Sequence, residues 1–444
     1  MPTRHLVIGT GIAGLSAAEE IRRRDASAHI TMVGAEPHPF YSRPGLAYVL
    51  TREIPARQLA LRTPEELREL RLERLDGVVV RLRPATREAE LADGARVNYD
   101  RALFATGAAS LAPEFPGAEL KGVVRLDNLD DARRIMRLAK GARSAVVVGG
   151  GSTAIEIVDG LRALGLRTHY FLRGDRYWAR VLDPEESDLV EARLERNGVV
   201  LHHHTEVRRA VGRRGRLVSV ETRSGAEVKC DLLAVAIGVR PRLDLAQAAG
   251  LDMRRGILTD EYLETSEPDH YAAGDVAQAV DPETGNSGLD TLWASAAEMG
   301  RIAGANMSDA LVPYRRRVAM NVTRLAGLPA TIIGLVGGAT EDPDLLTITR
   351  GQSERWTADT SSWTLSDAHA DDRLRVVVGQ RGIVGAVIIG DQALSRPLTH
   401  MVQAAVDVGN LRPMLEAHPR AAMSLLLEFI RRSDADERAR RGVR

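Results

Sequence analysis

Residues 5–14 read HLVIGTGIAG. The apolar residues His5–Ile8 predict a strand, and Leu15–Arg24 predicts a helix. Between them, Gly9 makes a tight turn, Gly11 lets a pyrophosphate approach the backbone, and Gly14 lets helix and strand pack closely. The start of the helix then presents free N–H groups and the positive end of its dipole to the phosphates. This stretch predicts a dinucleotide-binding turn.

An acidic residue at the expected spacing strengthens that prediction. A second strand over His29–Val33 ends near Glu36, about 20 residues beyond the last glycine, as the dinucleotide-binding βαβ unit requires. Glu36 can accept hydrogen bonds from ribose hydroxyls.

The same pattern recurs further along the chain. A strand over Ala145–Val148 enters GGGSTA at 149–154, and a helix over Ile155–Leu164 and a strand over Thr168–Leu172 follow. Two such units predict two nucleotide-binding domains.

Three further strands are predicted to end at a glycine beside a ligand, at Leu103–Gly107, Ala234–Gly238 and Tyr271–Asp275. Ala112–Gly122 and Gly238–Pro241 have the composition of linkers. From about Val318 the pattern changes to short strands, including a hairpin over 374–389, with helices at about 394–409 and 419–432.

Composition narrows the class of protein. The 444 residues predict two or three domains, and 60 basic against 60 acidic residues give no general electrostatic case for nucleic acid or a membrane as partner. No apolar run reaches the roughly 20 residues of a membrane span, and the N-terminal residues lack a signal-peptide profile, so we expect a cytoplasmic enzyme. The single cysteine, Cys230, cannot form an intramolecular disulfide.

Taken together, these motifs resemble the flavoprotein family with two dinucleotide-binding domains, which includes the pyridine nucleotide-disulfide oxidoreductases. The resemblance covers roughly residues 3–310 and is closest to the ferredoxin and rubredoxin reductases and the flavin part of nitrite reductase. It implies an α/β fold with two Rossmann-like domains: FAD in residues 1–115 and 239–317, NAD(P) in 116–238, and a C-terminal α+β interface domain in 318–444.

The resemblance also implies which residues bind the two cofactors. Those expected at FAD or NAD(P) are Gly9, Gly11, Ala13, Gly14, Glu36, Arg43, Val79, Ala105, Thr106, Gly107, Gly149, Gly151, Ala154, Glu156, Arg173, Arg176, Gly238, Gly274, Asp275, Thr291 and Trp293. Two of them have a simple structural alternative: Asp275 as a helix cap and Trp293 as a core residue.

Electron transfer is expected to proceed without a cysteine. Disulfide enzymes of this family carry a redox cysteine near the Arg-Pro segment or a CxxC motif, but residues 41–50 contain no cysteine. Related ferredoxin reductases pair a Lys with a Glu near the flavin, and here Tyr48 stands at the Lys position and Glu156 at the Glu position. Arg43, Tyr48 and Glu156 are therefore the candidate catalytic residues, with Glu156 as an ordinary first-turn acid the alternative.

The preference between NADH and NADPH depends on the residues that follow the second strand of the second βαβ unit. No acid stands at 172 or 173, while Arg173 and Arg176 can pair with a 2′-phosphate, which favours NADPH slightly over NADH. Asp175 or loop carbonyls serving NAD remain the alternative.

Two remaining features concern metals and partners. His202, His203 and His204 would alternate faces in a strand, so no metal site is predicted. No cysteine cluster is present for a resident iron–sulfur centre, so we expect a separate redox carrier protein as acceptor. An oxidase or quinone reductase, and a redox-sensing regulator, are the alternatives; the C-terminal domain is compatible with a homodimer.

Overall fold

A computed structural model describes residues 2–281, 285, 287–336, 363–369, 371–379, 382–418, 421 and 424–430. The chain forms two compact units. Unit 1 contains the described residues between 2 and 171 and between 205 and 316, and unit 2 contains residues 172–204 and the described residues from 317 onward.

The first sheet of unit 1 is parallel. Its strands are β1 (Arg4–Ile8), β2 (His29–Gly34), β3 (Glu73–Asp76), β7 (Arg101–Phe104) and β19 (His270–Ala272). They lie in the order β19-β7-β1-β2-β3. Every residue of β1 after Arg4 is buried, as expected for the central strand of a sheet that is covered on both faces.

Two helices pack together in this domain. Helix α1 (Ile12–Arg24) begins directly after Gly11, three residues before the predicted Leu15. It lies against helix α8 (Trp293–Asn306). A Cβ on Gly304 would lie 2.5 Å from the Ala17 carbonyl oxygen, so only a glycine permits this approach.

The second sheet contains, within unit 1, the parallel strands β9 (Val123–Val124), β10 (Ser144–Val148), β11 (Arg167–Phe171) and β16 (Leu232–Val235). Strand β10 pairs with β11 on one side and β16 on the other, and β9 pairs with β16. Helix α5 (Ser152–Ala163) follows β10 and begins three residues before the predicted Ile155. Helix α4 (Leu129–Ala139) begins after Asn128, whose side chain accepts a hydrogen bond from the Asp131 N–H.

Smaller sheets complete unit 1. Their strands are β4 (Val79–Arg83), β5 (Glu88–Leu91), β6 (Arg96–Asn98), β8 (Ala108–Ser110), β13 (Val207–Arg213), β14 (Arg216–Thr222), β15 (Glu227–Lys229), β17 (Val239–Pro241), β18 (Ile257–Thr259), β20 (Ala277–Val280) and β21 (Ser287–Gly288). Short helices are α2 (Leu46–Leu50), α3 (Pro64–Glu69), α7 (Asp244–Ala248) and the 3₁₀ turns Ala56–Leu59 and Pro84–Thr86.

One of the two predicted linkers is a strand. Strand β17 (Val239–Pro241) pairs antiparallel with β8, so most of the segment Gly238–Pro241 belongs to a two-stranded sheet. The hydrogen bonds between β8 and β17 satisfy backbone N–H and C=O groups that would otherwise need water.

Unit 2 contains helix α6 (Pro184–Arg196), strand β12 (Val200–His202) and an antiparallel sheet in the order β22-β23-β26-β25-β24. These strands are β22 (Met320–Leu325), β23 (Leu328–Gly334), β24 (Trp363–His369), β25 (Asp372–Val378) and β26 (Ile383–Ile389). Strands β25 and β26 are the predicted hairpin, which is confirmed.

The helices of unit 2 differ from the prediction. Instead of one helix over 394–409, helix α9 (Ser395–Gln403) ends early and a separate helix α10 (Arg412–Ala417) follows. Ala405 has a left-handed φ of 47°, which a continuing right-handed helix cannot contain. Residues 424–430 are helical, and the other residues of the predicted helix 419–432, apart from 421, lie outside the described part of the chain.

Candidate functional site

The first glycine turn has the geometry that a bound pyrophosphate requires. Gly9 has a φ of 123°, and a Cβ there would lie 2.1 Å from the Ala105 carbonyl oxygen. A Cβ on Gly14 would lie 2.2 Å from the Gly9 carbonyl oxygen. By contrast, a Cβ on Gly11 meets no atom within 4 Å. Two glycines therefore permit close packing within the protein, and the third leaves the space in front of helix α1 open for a ligand.

The ends of neighbouring strands converge on this turn. Ala105, Thr106 and Gly107 follow β7, and the Ala105 N–H donates to the Ile8 carbonyl at 2.9 Å. Gly274 and Asp275 follow β19, and a Cβ on Gly274 would lie 3.1 Å from the Cβ of Ala13 in the first turn of α1. Because parallel strands share their carboxyl edge, these predicted FAD residues lie together.

Val79, another predicted FAD residue, is buried at the start of β4 in the same hydrophobic core. The Gly77 N–H, two residues earlier, donates to the Gly34 carbonyl at the end of β2 at 2.8 Å. Val79 thus follows the carboxyl end of the sheet.

Glu36 is held by two side chains from the following loop. The Tyr41 hydroxyl donates to Glu36 at 2.7 Å, and the Arg43 guanidinium forms a short ion pair with it. Burial alone would lower the pKa of Arg43, but Tyr41, Glu36 and Asp127 raise it above its ordinary value. The guanidinium therefore stays charged. A carboxylate has about four acceptor sites, so Glu36 retains capacity for ribose hydroxyls.

A second arginine, which sequence reasoning missed, extends this network. Arg242 donates to the Asp127 carboxylate at 2.8 Å and to the Thr106 carbonyl at 3.2 Å. Arg43 donates to the Asp127 carbonyl at 2.8 Å. Asp127 thus links the loop after β2 to the loop after β7. Asp127 follows the linker-like segment 112–122 and belongs to no recognised motif, so the sequence did not identify it.

The candidate catalytic residues Tyr48 and Glu156 lie on two helices that touch. Tyr48, in α2, is 36% exposed. A Cβ on Gly160 of helix α5 would lie 2.7 Å from the Cβ of Leu50. Since residues four apart share one face of a helix, Glu156 lies on the face of α5 that receives α2. The structure therefore places helix α2, which follows Arg43 in the chain, beside helix α5, which follows the second glycine turn.

The second glycine turn repeats the first. Gly149 has a φ of 143°, and a Cβ there would lie 2.1 Å from the Ala236 carbonyl oxygen and 3.2 Å from the Cβ of Ala154. Ala154 stands where Gly14 stands in the first turn, and Gly151 directly precedes helix α5. Gly238, with a φ of 117°, follows the neighbouring strand β16.

The two predicted phosphate ligands follow strand β11 in the chain. Arg173 is exposed, two residues after the end of that strand. Arg176 lies 3.4 Å from the Asp175 carboxylate and donates to the Ala179 carbonyl at 3.4 Å. Both are weak contacts that a 2′-phosphate can replace.

The start of helix α8 carries Thr291 and Trp293, of which the first is buried and the second half-buried. Asp290, the residue before them, was not among the predicted cofactor residues; it is 5% exposed and accepts a hydrogen bond from the Ser295 hydroxyl at 2.8 Å. Burial raises the pKa of its carboxyl to about 6. Residues 287–290 read SGLD, and no spacing among them marks Asp290 as a ligand-facing acid.

Cys230 is buried between β15 and β16, and burial raises the pKa of its thiol to about 12. It is inert as a nucleophile because the thiolate is the reactive form. His203 is hydrogen-bonded to Glu191 at 2.8 Å. Among the residues that the structure describes, no group of three or more His, Cys, Asp or Glu side chains is arranged to hold a metal.

Two parallel sheets, each with a glycine turn at the carboxyl end of a central strand, define a protein built to bind two dinucleotides. The chain belongs to the pyridine nucleotide-disulphide oxidoreductase family, whose model matches residues 3–300. Enzymes of this family use FAD and NAD(P)H. In the described part of the chain, no helix combines the length and apolar character needed to span a membrane.

Three relatives illustrate the range of the family. The chain is 33% identical to a rhodocoxin reductase of Rhodococcus erythropolis over 70% of this chain and 73% of that protein. It is 31% identical to a rubredoxin-NAD(+) reductase of Ectopseudomonas oleovorans over 62% and 72%, respectively. It is 29% identical to an NADH oxidase of Methanocaldococcus jannaschii over 69% and 70%.

The fold is similar to that of a solved ferredoxin reductase from Rhodopseudomonas palustris, for the CYP199A2 system. The TM-score is 0.81 at 23% identity, over 91% of this chain and 96% of that one. The likeness extends beyond residues 3–300 and thus confirms the fold class for most of the chain.

Proposed function

We propose that this protein is an FAD-dependent NAD(P)H reductase that passes electrons to a separate iron–sulfur or rubredoxin-type carrier protein. The observation that carries the proposal is the pair of glycine turns in unit 1, combined with a single cysteine that is buried. Two dinucleotides can be held, and no thiol is available to take electrons from the flavin.

The residues of the first site fit FAD. The open space at Gly11 and the N-terminus of α1 accommodate the pyrophosphate, and Glu36 receives the ribose hydroxyls. Arg43 and Tyr41 orient Glu36, and Asp275, beside the first turn of α1, receives the sugar-alcohol chain. When bound, FAD supplies the chemistry of accepting hydride and releasing electrons.

The second site is proposed to hold the nicotinamide nucleotide on Gly149, Gly151 and the start of α5. Glu156, on the face of α5 that receives α2, then lies on the side of the nucleotide nearest to Tyr48. Arg173 and Arg176 are proposed to receive the 2′-phosphate of NADPH, which the enzyme accepts with a slight preference over NADH.

Similarity to two relatives, a rhodocoxin reductase and a rubredoxin-NAD(+) reductase, supports the proposal that the acceptor is a protein. The proposal includes a cytoplasmic location, which cell fractionation tests.

The acceptor is identified by anaerobic stopped-flow mixing. The protein is first reduced with one equivalent of NADPH and then mixed with a rubredoxin, a [2Fe–2S] ferredoxin, a quinone or oxygen. We expect reoxidation by one of the carrier proteins at least 100-fold faster than by oxygen. Fast reoxidation by oxygen or quinone, with none by a carrier, would overturn the carrier assignment and leave the reductase assignment intact.

A further inference from the structure

Asp290 is a buried carboxylate with one oxygen that no described residue satisfies. Its Oδ2 accepts the Ser295 hydroxyl at 2.8 Å, whereas Oδ1 is buried and has no hydrogen-bond partner in the described part of the chain. A buried acceptor left unpaired destabilises the fold, so its retention calls for a functional reason.

The packing of two helices locates Asp290 relative to the cofactor. Gly300 faces Ala13 and Gly304 faces Ala17, so α8 and α1 run in the same direction. Helix α8 begins seven residues before Gly300, whereas α1 begins one residue before Ala13. At 1.5 Å per residue, the start of α8 therefore projects about 9 Å beyond the start of α1.

This offset places Asp290, three residues before the start of α8, further out than the start of α1. Gly274 contacts both Ala13 and Ala296, with a Cβ there 3.1 and 3.5 Å from their Cβ atoms. Asp275 thus lies between the two helix starts. A dinucleotide whose pyrophosphate is held at the start of α1 and whose chain continues past Asp275 would extend toward the start of α8, where Asp290 lies.

Four groups act on the Asp290 carboxyl. Burial is the largest influence and raises its pKa to about 6. Ser295, Arg316 and the Leu292 N–H lower the pKa, and the negative charge of Asp275 raises it. Arg316 also donates to the Gly288 carbonyl. An additional negative charge nearby would raise this pKa further and favour the protonated form of Asp290.

We propose that Asp290 takes up one proton from solvent when the bound flavin is reduced. The inference rests on the proposed function, because it needs FAD in the first site. FAD bound in the first site would, after accepting hydride from the nicotinamide, carry one additional negative charge. Asp290 then binds a solvent proton, becomes neutral, and removes the repulsion between two buried negative charges.

The protonation of Asp290 in the oxidised enzyme depends on pH. Below about pH 6 Asp290 is already protonated in the oxidised enzyme, so reduction brings no extra proton. Above that pH, reduction raises the pKa of Asp290 and draws in a proton. The midpoint potential of the flavin therefore falls more steeply with pH above 6 than below it.

Spectroelectrochemical titration of the FAD-loaded protein from pH 5 to 9 tests this proposal. Each proton taken up per two electrons gives a slope of about 30 mV per pH unit, the value of a tenfold change for a two-electron couple. We expect about 60 mV per pH unit between pH 6 and 8 in the natural protein. Asp290→Asn should lose about half of that slope. At pH 5 the slope of the variant should equal that of the natural protein.

Two further variants make the test specific. Ser295→Ala removes a hydrogen bond that favours the charged carboxyl, so the steep region should begin at higher pH. Asp281→Asn replaces another buried carboxyl and should leave the slope unchanged. If Asp290→Asn does not fold, the shift in Ser295→Ala carries the test.

The possible failures are distinguishable. Protein that binds FAD and is bleached by NADPH, with equal slopes in the natural protein and in Asp290→Asn, overturns the role of Asp290 alone. An unchanged onset in Ser295→Ala does the same. Protein that cannot bind FAD overturns the proposed function itself.

Discussion

Gly300 of helix α8 lies against the backbone of Ala13 in helix α1, so close that a Cβ on Gly300 would stand 2.1 Å from the Ala13 carbonyl oxygen. This contact brings the starts of both helices to the carboxyl edge of the same parallel sheet. The proposed FAD site thus depends on two helices about 270 residues apart in the chain, which approach closely because Gly300 has no side chain to separate it from the Ala13 backbone.

Gly300→Ala should destabilise unit 1 and weaken FAD binding. The added methyl group meets backbone rather than a movable side chain, so the helices must separate, at a cost of about 2–3 kcal/mol. Thermal unfolding and the flavin content of the purified protein measure both effects. Gly141→Ala is the matched control, because a Cβ there meets no atom within 4 Å. Equal flavin content in the two variants would contradict the role of this contact.

Arg43→Met should lower FAD affinity without removing a group that touches the phosphates. Glu36 would lose its cationic partner, and the cost of leaving a half-buried carboxylate unpaired is about 2 kcal/mol, or roughly 30-fold in affinity if it acts on binding. Fluorescence titration of apoprotein with FAD provides the measurement. Arg68→Met, which removes an exposed ion pair with Glu65, should change nothing beyond about twofold. Affinities that fall equally in both variants would refute the argument.

Cys230 should be unreactive and dispensable. Burial raises its pKa from 9.0 to about 12, so the thiolate fraction at pH 8 is about 1,000-fold below that of an ordinary thiol. A disulfide reagent such as 5,5′-dithiobis(2-nitrobenzoate) should label the native protein only slowly, and faster as the pH rises. Cys230→Ser should retain carrier reduction. Loss of reduction in that variant, with FAD still bound, would show a thiol step.

Arg173→Ala should raise the KM for NADPH about tenfold and leave that for NADH nearly unchanged, because NADH has no 2′-phosphate to pair with. Initial rates with each nucleotide give the comparison, and NADH serves as the internal control. Parallel loss with both nucleotides would assign Arg173 to general nucleotide binding, and no change would remove it from the site.

The sequence predicted the local parts of the site better than their connections. Gly9, Gly11 and Gly14 are recognisable because a turn before a helix demands particular residues at short spacing, and the strands around them follow apolar runs. Both helices after the glycine turns begin three residues earlier than predicted. Of residues 12–14 and 152–154 only Ile12 is large and apolar, so these positions contribute little to the apolar periodicity from which a helix start is inferred.

Contacts between distant segments could not be predicted in this way. The Arg242–Asp127 pair spans 115 residues, and the unpaired oxygen of Asp290 depends on how α8 packs. Neither has a sequence pattern, because each results from the meeting of strand ends in the folded sheet. The break between α9 and α10 was missed for a related reason: apolar residues continue across it, and a left-handed Ala405 has no distinctive sequence signal.

Anaerobic titration of the purified protein with NADPH and with NADH, followed by the flavin absorbance near 450 nm, tests the central claim most directly. We predict a yellow protein with about one FAD per chain, whose absorbance is bleached by one equivalent of either nucleotide, with NADPH slightly favoured. A colourless protein that cannot be loaded with FAD, or bound flavin that neither nucleotide bleaches, would contradict it.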